Sequence, residues 1–234
     1  MPGSAAPSLR RAGREAGAIY LVVVLAGMFC LAYVPAQLAA VTGASAFAAA
    51  AGQVGLLRIG LAAFLVMQVA FLLLPFALYR VFADAAPRAA VLMVALTTVA
   101  VAIGMIAAIH LFDALDAVQG GTAAGTSGAE AVFDQARRDY RQALRVASLF
   151  WGLWLLPFGF AVLHTRRLPR VLGVLLLLGG VGYVVQVLGG LWPWFAALPL
   201  AGHLTKPAAL GEIGSCLWLL VFGAREGVPP SART

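Results

Sequence analysis

The chain reads as an all-α polytopic integral membrane bundle of six transmembrane helices with both termini cytoplasmic. Three observations lead there. Six long apolar stretches punctuate the 234 residues, and five of them hold no charge. The chain is 62% hydrophobic and 11% charged, whereas a soluble domain carries roughly 25% charged residues. Its mean hydropathy is +0.95, so lipid rather than water must solvate most of the surface. Lys and Arg, finally, collect at the ends of the apolar stretches, where they anchor to headgroups and set topology.

The elements follow in order. Residues 1–15, rich in Pro, Gly, Ser and Arg, read as a disordered basic tail. A single transmembrane domain, residues 16–224, comes next, and residues 225–234 form a second tail. The first span covers residues 16–36, with Pro35 near its outer end. Its apolar core of about 20 residues exceeds the roughly 7–15 of a signal peptide, so it reads as a retained span. The loop at 39–51 is small and apolar, suited to the interface. Residues 53–79 form the second span, where Pro75 predicts a kink near the inner end. A short turn at 80–88 leads into the third span, residues 89–109.

The long segment 113–145 lies outside. Its first part, Gln119 to Gly128, reads as a flexible glycine-rich linker. Its second part has helical period, with Val132, Phe133, Ala136, Tyr140, Ala143 and Leu144 on one side and Arg and Asp on the other. This is an amphipathic helix on the outer leaflet or a rigid lead into the fourth span; a solvated extension of that span weighs equally. The fourth span, 146–164, ends at the densest basic cluster, Arg166, Arg167 and Arg170. The fifth, 171–191, contains Gly173, Gly179, Gly180 and Gly182, spaced for close helix approach in lipid. Trp192 and Trp194 mark an interfacial belt, and the sixth span, 207–224, carries Glu212.

With both termini inside, the inner loops hold ten positive charges against three negative, and the outer loops six of each. The whole net charge of +7 is then cytoplasmic, as expected for an even number of spans in a cell membrane. This distribution explains the basic composition through topology and excludes nucleic acid as a partner. The two cysteines, Cys30 and Cys216, sit roughly 22 Å and 13 Å above the inner boundary by helical rise. A disulfide spans only about 4.4–6.8 Å between Cα atoms, so both read as small packed side chains.

Polar groups at membrane depth are costly and point to function. Arg58, His110, Asp113 and Glu212 all fall on the outer side and form the candidate binding cluster. The sharpest structural expectation is an Arg58–Glu212 ion pair. Its competitor has Arg58 snorkelling to headgroups and Glu212 capping the last helix. His110, Asp113, His203 and Glu212 have metal-ligand chemistry, but no His-Glu-x-x-His or cysteine pair accompanies them, and neither metal nor cofactor is expected. Gln68 and Gln186 are read as cross-helix bonds, and Trp151, Trp154 and Tyr183 as packing groups.

The run Phe150 to Gly159, then Leu168-Pro169-Arg170-Val171-Leu172-Gly173, then Gly180-Val181-Gly182-Tyr183, resembles the bacterial six-helix membrane family catalogued as domain of unknown function 4386. Residues 14–21, Leu57-Arg58-Ile59-Gly60, Gly211-Glu212 and Trp218-Leu219-Leu220 fit the same pattern. The resemblance spans nearly the whole chain. It implies a six-helix fold and no assigned activity. Two function classes stay open: a non-enzymatic module binding a lipid, small molecule or partner in the bilayer, and an integral-membrane enzyme acting on a lipid or isoprenoid through Glu212, His110 and Asp113.

Overall fold

A computed structural model describes residues 8–39, 45–124, 126–196, 198 and 201–226. Among them the chain is all-helical. Helix α1, Leu9–Gly27, opens into a π-helical turn, Met28–Tyr33, before α2, Val34–Ala39. Then come α3 (Ala46–Ala51), α4 (Val54–Phe82), α5 (Pro87–Ala124), α6 (Thr126–Thr165), α7 (Arg170–Gly189), the single turn α8 (Pro193–Ala196), a 3₁₀ turn at Ala201–His203, and α9 (Lys206–Phe222). Five helical runs are long and apolar enough to cross a membrane: Leu9–Ala39, Val54–Phe82, Pro87–Gly120, Gly128–Thr165 and Arg170–Gly189.

The helices outrun the apolar stretches. The third continues to Ala124, through residues read as flexible linker, and the next begins at Thr126. The amphipathic segment 129–145 is one helix with the fourth apolar stretch, as both the rigid lead and the helical extension of that stretch require. Packing accounts for the helical extension. Ala114 and Val118 of α5 meet Phe133 and Ala136 of α6 around Phe47 in a buried cluster, which outweighs the roughly 1 kcal/mol that a helical glycine costs. The π turn has a cause too. Pro35 has no N–H to give the Leu31 carbonyl and its ring would crowd that oxygen. The chain widens instead, and the Val34 N–H bonds to the Phe29 carbonyl.

The residues fall into two compact units. Unit 1 takes Met1–Leu21, Phe71–Ala100 and Ser148–Thr234; unit 2 takes Val22–Ala70 and Val101–Ala147. In unit 1, α9 runs antiparallel to both α1 and α7. Gly13 lies against Ala224, Gly17 against Leu220, and Tyr20 reaches Glu212. On its other flank α9 sets Gly214 beside Leu172, Gly211 beside Leu176 and Ala208 beside Gly179. A Cβ on Gly179 would lie 2.3 Å from the Ala208 Cα, so only glycine admits this approach. The α6–α7 pair is built alike: Gly152 faces the Gly180 carbonyl, and Gly159 the Gly173 carbonyl. Trp154 is buried among Tyr20, Phe71 and Phe158, with ring centroids 5.3–6.3 Å away. It is a packing group, as its sequence context suggested.

In unit 2, Cys30, Phe64, Met67, Ala107 and Ala108 form a second buried cluster. Gln68 crosses between α4 and α5, donating to the Val101 carbonyl at 3.4 Å. Gly104 leaves room for its amide. Cys30 and Cys216 are both free and buried.

Candidate functional site

Of the four residues expected to cluster, Arg58 and Glu212 each have a partner outside the set, and His110 and Asp113 partner each other. In unit 2, Arg58 is exposed and donates to the Gln119 Oε1 at 2.9 Å. In unit 1, the half-buried Glu212 accepts from the buried Tyr20 hydroxyl at 3.1 Å. Each residue of the expected Arg58–Glu212 pair has a contact inside its own unit. Arg58 reaches a neighbouring amide from an exposed position, and Tyr20 sits where antiparallel α1 faces α9, one turn beyond the Gly17 contact. His110 and Asp113 do meet: Nδ1 lies 3.5 Å from the carboxylate, one turn apart on α5. His203 is exposed on the 3₁₀ turn. Among the described residues no three His, Cys, Asp or Glu side chains gather as metal ligands.

A charged network in unit 1 was not legible from the sequence. Arg167, read there as one of several topology charges, is 6% exposed. Its guanidinium grips both oxygens of Asp84 at 2.5 Å and bonds to the Val81 carbonyl. Its own carbonyl accepts from the Arg225 N–H. Nearby charged groups add to this end: Arg80 pairs with Glu15 at 2.9 Å, and Arg14 donates to the Val221 carbonyl. The Arg167 hydrogen bonds hold the Asp84 carboxyl below the usual carboxylate range. Arg166 takes up the left-handed conformation, φ 57°, as α6 ends. These contacts tie the ends of α1, α4, α6 and α9 together and have a structural role.

The second unforeseen feature is a cavity of about 460 Å³ in unit 2. The π turn supplies Cys30; Val34 and Pro35 of α2 adjoin it. Helix α3 gives Ala46 and Ala49, α4 gives Leu57, Gly60 and Phe64, and α5 gives Leu111 and Ala114. Along α6 the wall is Phe133, Arg137, Tyr140, Arg141 and Leu144. Each of these lies on one face, since residues three, four and seven apart share a side. The lining is therefore apolar apart from a narrow polar strip on α6. π turns recur at functional sites because a widened turn re-aims side chains. Cys30 on that turn is buried, lines the cavity and touches the Met67 sulfur at 4.0 Å.

Helix length, apolar composition and glycine-mediated packing define a helical membrane protein. The family model described as "Domain of unknown function (DUF4386)" matches residues 16–223, and the chain belongs to that family. No curated protein and no solved structure matches it.

Proposed function

We propose that this is a six-span protein of a bacterial cell membrane, with both termini cytoplasmic, that binds a lipid or similarly apolar small molecule without catalysing its conversion. The observation that carries this reading is the unit 2 cavity. Its 460 Å³ lies in the roughly 300–1,000 Å³ range of small-molecule sites, and such sites are apolar with a few placed polar groups. The alternative is an enzyme using Glu212, His110 and Asp113. Tyr20 occupies the Glu212 carboxylate, and His110 with Asp113 is a pair one helical turn apart.

The sixth span is α9. Its 17 residues reach about 25 Å, short of the roughly 30 Å hydrocarbon core but within what flanking-residue adjustment accommodates. Its antiparallel course beside α1 brings Ala224 to Gly13 and supports termini on one side of the bilayer.

Native mass spectrometry from lipid nanodiscs tests the binding reading. Ala46 lines the cavity yet is exposed, so Ala46→Trp fills the space with little effect on folding. Wild type should carry one lipid-like molecule per chain that the variant lacks. The same bulk phospholipid retained by both proteins refutes the proposal.

A further inference from the structure

The polar strip of the cavity has one sign of charge. Arg137 and Arg141 are the charged residues that line it, and no acidic side chain joins them among the described lining residues. The two stand four residues apart on one helical face, an arrangement that like charges disfavour. The neighbouring acids do little to offset it. Asp134 reaches Arg137 only at 3.8 Å, and Asp139 is held by the Gln135 amide at 2.9 and 3.0 Å. Arg137 also lies 5.6 Å over the Phe133 ring, which fixes the guanidinium beside the cavity wall. Arg141 has no hydrogen bond or ion pair among the described residues. By contrast Arg138, one residue round the helix and away from the cavity, is bonded twice to Gln135. The under-partnered cations of this stretch thus sit on the face that borders the apolar space.

We infer that the cavity takes an amphiphile with an anionic head, a carboxylate or a phosphate, and an apolar tail that lies against Cys30, Phe64 and Leu111 while Arg137 and Arg141 bind the head. The inference rests on the binding function proposed above and adds the chemistry of the ligand. A guanidinium suits such a head because its planar N–H groups meet two oxygens at once. A neutral tail alone would have no use for two adjacent cations. The acid is supplied either by the bilayer, as an anionic phospholipid, or as a free amphiphilic acid. The shared chemistry of the two is the anionic head on an apolar tail.

The test measures binding of dodecanoic acid, dodecyl phosphate and dodecan-1-ol to the full chain in phosphatidylcholine nanodiscs. The proteins compared are wild type, Arg137→Gln/Arg141→Gln, Arg138→Gln and Ala46→Trp. The acids should bind wild type and Arg138→Gln at least about tenfold more tightly than the double variant, since a charge-assisted bond contributes more than about 1.4 kcal/mol. The alcohol should bind those three proteins equally, and Ala46→Trp should bind none of the probes. Repeating the measurement with phosphatidylglycerol in the disc identifies the source. Competition marks a bilayer lipid as occupant, and unchanged binding marks a free acid. Equal affinity of acids and alcohol for wild type and the double variant, with Ala46→Trp still blocked, overturns the anionic-head inference and leaves the binding function intact. Binding that ignores Ala46→Trp overturns both.

Discussion

Replacing Gly179 by alanine should weaken the protein, whereas the same change at Gly120 should strengthen it. In a bare helix the two substitutions are equivalent, each gaining about 1 kcal/mol from alanine's higher propensity. Their surroundings separate them. A Cβ at Gly120 meets nothing within 4 Å. One at Gly179 would sit 2.3 Å from the Ala208 Cα and 2.4 Å from its nitrogen, more than 1 Å inside the optimum of about 3.5–4.0 Å. Both obstructing atoms are backbone, so α7 and α9 must separate rather than a side chain turn away. Overpacking costs about 1–3 kcal/mol, and a backbone obstruction belongs at the upper end, about 3. Less the propensity gain, Gly179→Ala loses about 2 kcal/mol. At roughly 2–4 °C per kcal/mol for a chain of this size, its melting temperature in detergent falls by about 4–8 °C, while that of Gly120→Ala rises by about 2–4 °C. Both are read by differential scanning fluorimetry at one heating rate, because membrane proteins often unfold irreversibly. If Gly179→Ala melts at or above wild type, α7 and α9 do not meet where described and the antiparallel packing of unit 1 is wrong.

Three further outcomes follow from the contacts of unit 1. Asp84→Asn leaves the buried Arg167 guanidinium without its carboxylate and should cost about 1 kcal/mol, a figure reduced because Asp84 is 65% exposed. The Asp84 pKa is lowered in the fold, so its contribution is complete above the ordinary carboxylate value of about 3.9 and fades as pH falls through the folded value. A melting curve taken against pH should therefore lose part of its acid limb in Asp84→Asn, and an unchanged limb would show that the pair contributes nothing. Tyr20→Phe and Glu212→Met should be coupled by at least about 0.5 kcal/mol in a double-mutant cycle; strictly additive losses would break the proposed hydrogen bond. Reporter fusions should place both termini on the cytoplasmic side; a periplasmic signal from one alone would end the six-span reading, and from both would reverse its orientation.

The spans were legible because lipid imposes a strong, local rule: a backbone in hydrocarbon must be helical and its side chains apolar. Helix ends beyond the lipid obey no such rule. Gln119 to Gly128 has the composition of a linker, yet its described residues continue α5 or open α6, held by contacts at Val118 and Phe133 that pair residues fifteen positions apart. The site was less legible for the same reason. Arg167 resembles any basic loop residue until Asp84, 83 positions earlier, is folded beneath it. Tyr20 lay inside a charge-free apolar stretch, and its hydroxyl was the one clue that it needs a partner. Arg137 and Arg141 were assigned to the polar face of their helix. Each is about 40° round from the residue four positions before it, by the 3.6-residue period, so they border the Phe133–Tyr140 stripe, and only the cavity decides which side they serve.

The contrast between the units gives the binding reading its physical logic. In unit 1, would-be Cβ atoms on Gly17, Gly179 and Gly182 collide with backbone, while those on Gly173 and Gly214 meet leucine side chains. Interfaces of that kind are close-packed. In unit 2 the comparable glycine contacts are with side chains, Gly27 with Met67 and Gly60 with Val34, and side chains can turn where backbone cannot. A π turn interrupts the regular helix in that same unit. The 460 Å³ cavity lies in the same unit, with Gly60 and Cys30 of the π turn in its lining. A membrane protein gains nothing in stability from an apolar void with two cations on its edge. The proposed ligand would fill the one and neutralise the other.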